Sequence, residues 1–309
     1  MNNFMLAVNA VMPFIIYMGI GMLLVKLKFT TEDFLRKVNT LVFKAFFPFM
    51  MFRNFATMDL SNGVEFGYVF FSLVFFAVLV LVLVIVIGKT DLVRDRKQKP
   101  VMIQGLFRSN SILFALPLAE TVAGEEGVAA ASFLVAILVP LYNVTAVVVL
   151  ESYNGERSSF PVLLKKIFTN PLIIGAILGA VYVMLPFTLP TFVMKPVNAI
   201  ADMTTPLALI ILGGTLRFTS MKAHAKLLTA ATVLKLIVIP AIALLLLKLF
   251  SFTDAQNFSI FAVFATPVAV SSYTMAANMG ADGDLAGEIV AVTTVASLVT
   301  IFLWILVIA

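Results

Sequence analysis

"RSNSILFALPLAE", Arg108 to Glu120, decides the fold. It sets an arginine, an asparagine and a proline inside a stretch otherwise fit for lipid. "FATPVAVSSYT", Phe264 to Thr274, does the same near the other end. Proline removes an amide donor and pushes away the carbonyl four residues back. In hydrocarbon that exposed backbone is costly unless protein or a water-filled cavity covers it. Two interrupted spans therefore imply a shielded site, with helix breaks expected at Pro117 and Pro267. Each break opens a helix N-terminus whose free amides carry about half a positive charge. Two such ends facing each other can hold a carboxylate without a formal ion pair.

The rest of the chain agrees with a membrane setting. Of its 309 residues, 61% are apolar and 12% charged, against about 25% charged in soluble domains. Charge is absent from Met1–Val25, Phe66–Gly88, Gly127–Leu150, Ile167–Met194, Ala255–Ala281 and Ile289–Ala309. Each run reaches the roughly 20 residues of a spanning helix. The runs lack the ~10-residue alternation of a lipid-facing barrel. The expectation is an all-α polytopic membrane protein with ten spans. They lie near 5–25, 34–57, 66–88, 101–122, 127–150, 167–186, 191–214, 228–250, 256–279 and 286–308. Pro161, Pro171, Pro186 and Pro190 bracket the sixth span as end markers. Lys26 and Lys28 follow the first apolar run rather than precede it, so that run reads as a retained helix and not a cleaved signal.

Basic residues sort by side. Lys26, Lys28, Arg36, Lys37, Lys89, Arg94, Arg96, Lys97, Lys99, Arg157, Lys165, Lys166, Arg217, Lys222 and Lys226 fall in one set of loops. Only Arg53, Lys195 and Lys248 fall on the other. Basic loops stay cytoplasmic, which puts both termini outside a cytoplasmic membrane. The net charge of +5 then sets topology rather than marking a nucleic-acid partner.

Five spans precede the loop at Glu151–Lys166 and five follow it. An odd number per half inverts the second half. "VNTLVFKAFFPFMMF" (Val38–Phe52) echoes "VNAIADMTTPLALII" (Val197–Ile211), Pro117 echoes Pro267, and "AGEEG" echoes "GADGD". The expected organisation is a first five-helix repeat at 1–152, a cytoplasmic linker at 153–166, and a second repeat at 167–309. Inverted repeats with discontinuous helices at midplane are a signature of secondary transporters.

Polar company around the breaks supplies candidate binding residues: Arg108, Asn110 and Ser111 in the first, and Thr266, Ser271, Ser272 and Asn278 in the second. Lys44, Arg108 and Lys235 sit roughly eight residues inside their spans, about 12 Å deep. Ionisable groups at that depth are functional candidates, although a lysine stem can also snorkel to the interface. Asp202 is the one acidic residue well inside the outer half. Asp202, Lys44 and Lys235 are therefore candidates for ion coupling. Gly19, Gly21, Gly213 and Gly214 read as close-packing points. Cysteine is absent and the one histidine, His224, lies in a basic loop, so no metal site is expected. HExxH, GxSxG and Gly-rich phosphate-loop patterns are missing, which argues against an enzyme.

These residues carry a resemblance. The chain resembles the auxin efflux carrier family in its bacterial branch of malate- and malonate-type permeases. The resembling stretches are "VNTLVFKAFFPFMMF", "RSNSILFALPLAETVAGEEG", "TNPLIIGAILG", "TTPLALIILGGTL" and "ATPVAVSSYTMAANMGADGDLAGEIVAVTTVASLVT". The resemblance implies ten helices in two inverted repeats, with broken helices 4 and 9 crossing at the membrane centre. It implies a scaffold of spans 1, 2, 6 and 7 that forms a homodimer, and a moving unit of spans 3–5 and 8–10. Plant members carry an Asn-Pro-Asn-type crossover and often a long central loop. This chain has Leu116-Pro117-Leu118, Thr266-Pro267-Val268 and a short loop. A small mono-, di- or tricarboxylate is then a better substrate than auxin.

The expected function is secondary transport of a small, malate-like organic anion by elevator-type alternating access. No cofactor is implied, and coupling to protons or sodium stays open. The alternatives are a sodium-coupled symporter of the bile-acid type and a non-transporting membrane ligand receptor.

Overall fold

A computed structural model of the chain describes residues 3–57, 66–154, 160–185 and 187–308. Arg157 and Pro186, used above for sidedness and as an end marker, lie outside them. The described residues are almost wholly helical. In order they form α1 (Asn3–Lys26), α2 (Glu32–Leu41), α3 (Phe47–Ala56), α4 (Phe66–Lys89), α5 (Gln98–Phe107), α6 (Ser111–Tyr153), α7 (Phe160–Phe168) and α8 (Pro171–Val183). There follow α9 (Thr191–Thr215), α10 (Phe218–Ala223), α11 (Ala225–Val233), α12 (Ile239–Leu247), α13 (Asp254–Ala265), α14 (Ser271–Asn278) and α15 (Gly283–Ile308). Five segments are long and apolar enough to cross a bilayer: Phe66–Lys89, Ser111–Tyr153, Thr191–Thr215, Ala225–Leu247 and Gly283–Ile308. Val11–Lys26 and Pro171–Val183 are shorter apolar helices. The chain is a multi-pass membrane protein.

Local chemistry sets the helix starts. Thr31 Oγ1 accepts from the Phe34 amide at 3.2 Å and begins α2. Asn170 Oδ1 accepts from Leu172 N at 3.0 Å, with Pro171 pre-set for the first turn of α8. Thr253 and Gln256 form a reciprocal capping box ahead of α13. Gly124, inside α6, has φ 61° and ψ −149°, a region essentially restricted to glycine. It divides α6 at the "AGEEG" turn, where the sequence places a boundary between two spans.

Two π-helical turns interrupt the helices, at Val42–Phe46 between α2 and α3 and at Leu234–Val238 between α11 and α12. Each lies just ahead of a proline, Pro48 or Pro240. Proline leaves the carbonyl four residues back without its amide. For Pro240 that carbonyl belongs to Leu236, and the one tryptophan, Trp304, donates Nε1–H to it at 2.8 Å.

Two sets of helices pack closely, and α1 joins them by also lying against α15. α1 lies on α9, and α3 on α8 and α9. α13 lies along α6, α14 on α15, and α12 on α13. Bare glycine lets α1 and α9 approach: a Cβ at Gly21 would collide with the Ile210 carbonyl, and one at Gly213 with the Met18 carbonyl. Gly19 faces open space, which corrects its reading as a packing point.

The position of the first break is also corrected. Pro117 lies inside α6. The chain leaves the helix earlier, at Arg108–Asn110, between α5 and α6. The second break, Thr266–Val270, does contain Pro267. What fixes the first break is tertiary. Ser109 and Val268 form an isolated antiparallel bridge. The Asn110 amide donates to the Pro267 carbonyl at 2.8 Å, and the Ala269 amide to the Arg108 carbonyl at 3.4 Å. The Val268 amide donates to Thr293 Oγ1 at 3.3 Å. The two interruptions satisfy each other's backbone, as burial in a membrane protein demands. Pro117 and Leu113 both line an open cavity, so the amide that proline lacks is missing on the cavity side, where a helix tolerates it.

Candidate functional site

A cavity of about 610 Å³ lies between α1, α3 and α9 on one side and the start of α6 and of α14 on the other. Its floor is the crossover: Arg108, Ser109, Asn110, Ser111, Ala269, Val270 and Ser271. Phe14, Tyr17, Phe47, Met50, Met51 and Leu209 form apolar walls. Arg53, Glu120 and Asp202 stand at its mouth. From Asn110 to Glu120, α6 rises about 15 Å, which gives the depth. Helix geometry puts Asn110, Leu113, Pro117 and Glu120 on one face of α6, toward the space.

The electrostatics of the floor are one-sided. α6 and α14 begin there, so their first amides and positive dipole ends meet at the cavity. Arg108 is buried; its guanidinium donates to Asn143 Oδ1 and to the Met275 sulfur. Among the described residues no carboxylate pairs with it. Three buried donors line the same space with no acceptor: Asn54 Nδ2, Asn110 Nδ2 and the Tyr142 hydroxyl. Tyr142 OH lies next to the Ser109 and Ser111 hydroxyls, in bonding geometry with neither. Unpaired buried donors beside a buried cation are what an acceptor-rich, negatively charged ligand would satisfy.

The sequence-derived candidates divide. Arg108, Asn110, Ser111 and Ser271 line the cavity, with Pro117 above them. Ser111 Oγ donates to the Val263 carbonyl at 3.3 Å and braces the end of α13. Thr266 and Ser272 are buried on the far side of the crossover. Thr266 Oγ1 bonds the Val263 carbonyl at 3.5 Å, and the Ser272 carbonyl accepts from Gln104 at 3.1 Å. Asn278 ends α14, about 10 Å along the helix from Ser271, and donates to the Thr274 carbonyl at 2.7 Å. Asp202 forms an ion pair with Arg53 at the mouth. Lys44 is exposed on the first π turn. Lys235 is fully buried, with Nζ 2.5 Å from Ser109 Oγ, behind the cavity floor. Asn54, Tyr142 and Asn143 were missed. Their signal was present: Tyr142 and Asn143 are polar groups in the charge-free Gly127–Leu150 run, and Asn54 follows Arg53.

The opposite end of the bundle is held shut by polar contacts. Arg36 on α2 pairs with Asp284 on α15 at 3.0 Å, and Arg217 with Glu32 at 2.8 Å. Glu32, by hydrogen bond and then by charge, raises the Arg217 guanidinium above its ordinary value. Thr215 Oγ1 and Tyr273 OH lie 2.8 Å apart, joining α9 to α14. Glu288 contacts Ser220, and its Oε2 is 2.8 Å from His224 Nδ1.

These features define a polytopic membrane protein built round a deep cavity with an electropositive floor. Comparison with known proteins places it further. The family model described as membrane transport protein matches residues 6–305, and the chain belongs to that auxin efflux carrier-type family. It is 28% identical over 201 residues to an uncharacterized transporter of Methanocaldococcus jannaschii. That alignment covers 63% of this chain and 64% of the relative's length. Family and relative both support a role in membrane transport.

Proposed function

We propose that the protein is a secondary carrier for a small, malate-like organic anion. The observation that carries this is the cavity floor: buried Arg108 between two converging helix N-termini, with the unpaired donors of Asn54, Asn110 and Tyr142 around it. An anion's oxygens accept from these groups, and the Ser271 hydroxyl completes the ring. Arg108 contributes charge, and Asn110 and Tyr142 contribute direction.

The ten apolar segments form two inverted five-helix repeats in this reading, with crossing breaks in the fourth and ninth. α1 to α3, α8 and α9 are the scaffold, and the remaining spans move as a unit that carries the crossover. Support comes from the packing of α1 on α9 and α3 on α8, and of α13 on α6 and α14 on α15, with α1 against α15 as the contact the movement would have to slide. The cavity lies between the two sets, as an elevator movement requires. The bias of basic loops makes the Arg53–Glu120 end extracytoplasmic, in the cytoplasmic membrane, so the conformation faces outward. The Arg36–Asp284 and Thr215–Tyr273 contacts then close the inner end. Asp202, Lys44 and Lys235 remain candidates for coupling, and the scaffold is the expected homodimer surface.

The test is uptake of labelled mono-, di- and tricarboxylates into proteoliposomes, with pH, sodium and voltage imposed separately. Saturable uptake lost in Arg108→Ala and Asn110→Ala, in protein that still folds, supports the reading. Carboxylate binding without flux would make the protein a receptor. Uptake unaffected by Arg108→Ala would remove the floor as the site.

A further inference from the structure

The crossover has two faces of opposite polarity, and only one is used by the cavity. The N-terminal ends of α6 and α14 point into it. α5 and α13 end at Phe107 and Ala265, neither of which lines the cavity, and the π turn carrying Lys235 packs on both helices. Helix C-termini carry unpaired carbonyls and about half a negative charge each. In carriers built from broken helices, such ends and unwound carbonyls are where a coupling cation binds.

In this chain a side chain is already there. Lys235 is fully buried, and its ammonium donates to Ser109 Oγ at 2.5 Å. Ser109 is two residues past the end of α5. It is bridged to Val268, three residues past the end of α13. Among the described residues no carboxylate forms an ion pair with Lys235. The π turn that carries Lys235 packs against α5, α13 and α15. Trp304 locks that turn through the Leu236 carbonyl. A buried acceptor, Gln104 Oε1, is left without a donor on the last turn of α5. Arg108, the other buried cation at the crossover, reaches the opposite way, to Asn143 and Met275.

We infer that Lys235 is a tethered cation occupying the place of a coupling metal ion, so that the crossover is held together without sodium. This rests on the carrier reading above. The ammonium supplies the single positive charge that two converging C-terminal helix ends call for. A mobile ion at the same place would be repelled by it and find Ser109 Oγ taken. The polypeptide thus supplies its own counter-ion for the moving unit, and anion uptake proceeds independently of alkali cations.

The experiment is thermal melting of the purified full-length chain in sodium, lithium, potassium or N-methyl-D-glucamine chloride at equal ionic strength. Wild type melts at one temperature in all four. Lys235→Ala melts about 4 °C or more lower in N-methyl-D-glucamine and recovers part of that loss in sodium or lithium. Lys235→Arg keeps the charge and stays insensitive to the salt. Sodium-dependent melting of wild type overturns the inference. So does a Lys235→Ala variant indistinguishable from wild type. A variant that no alkali cation restores reduces Lys235 to a packing group and overturns it equally. Should Lys235→Ala fail to fold, wild type and Lys235→Arg carry the test alone: sodium sensitivity in either is fatal, and its absence in both supports the inference. The assay needs no substrate, so its failure is separable from failure of carboxylate uptake.

Discussion

Replacing Asn143 by aspartate changes one buried atom and tests the electrostatics of the cavity floor. Asn143 is buried beside Arg108 in the lining of the cavity and accepts from its guanidinium. Its Nδ2 donates to the Val139 carbonyl at 2.9 Å and contacts the Met51 sulfur at 3.0 Å. In Asn143→Asp a carboxylate of the same shape meets Arg108 and cancels its charge. A substrate carboxylate about 4 Å from the guanidinium is attracted by about 4 kcal/mol at an effective dielectric of about 20. The new carboxylate lies beside the guanidinium, and for a substrate charge about 8 Å from it the repulsion is about 2 kcal/mol. Affinity should fall about 30-fold. Folding should not suffer in proportion. The buried cation gains an anion, while the bonds from Nδ2 are lost, so melting shifts by no more than about 3 °C. Asn143→Ala is the control. It removes one hydrogen-bond partner without adding charge, at about 1 kcal/mol or roughly five-fold in KM. The assay is concentration-dependent uptake in proteoliposomes alongside thermal melting of the same preparations. Asn143→Asp with wild-type KM, or weaker than Asn143→Ala in effect, would refute the claim that Arg108 sets the field felt by the anion.

Asn110→Ala should lower uptake at least ten-fold, since its unpaired donor faces the cavity, whereas Asn278→Ala, bonded to its own helix, should stay within about two-fold of wild type; parallel uptake rates check both. The chain has no cysteine, so a single Ser271→Cys reports access: an impermeant thiol reagent should label it from the Arg53–Glu120 side, and a transported carboxylate should slow the labelling. Gly21→Ala drives a methyl into the Ile210 carbonyl and should cost about 1–3 kcal/mol, read as a lower melting temperature with KM unchanged in the protein that remains folded.

The all-helical, multi-pass character was legible because lipid constrains sequence so strongly. Charge-free runs mark the helices, and polar residues within them mark the breaks. "RSNS" and "SSYT" locate the crossover well, because hydroxyls, an amide and a guanidinium are poor company for hydrocarbon. The position of the first break was not legible. Proline is the strongest local breaker, yet Pro117 stays helical and Arg108–Asn110 does not. That outcome depends on a backbone partner, Pro267 to Ala269, some 160 residues away in the chain, which no local rule senses. Ser272 and Asn278 failed as cavity residues for a related reason. On a helix, one residue's step is about 100°, so Ser271 faces the cavity and Ser272 faces away. Asn143 and Tyr142 were visible as polar groups in an apolar run, but their role requires knowing that α6 turns at Gly124 and returns beside Arg108. The fates of Lys44 and Lys235 also depend on packing. Both occupy π turns ahead of prolines, and one points outward while the other is sealed in.

The bridge between Ser109 and Val268 bears on how the chain is made. While it is being synthesised, the portion up to Tyr153 reaches the bilayer before Thr266–Val270 exists. Through that interval the Asn110 amide and the Arg108 carbonyl have no mate. Peptide groups left so in hydrocarbon are strongly unfavourable, so the early half must wait half-inserted, hydrated or chaperoned. Only the arrival of the late half lets it settle, and biogenesis therefore finishes as one joint event rather than two successive ones.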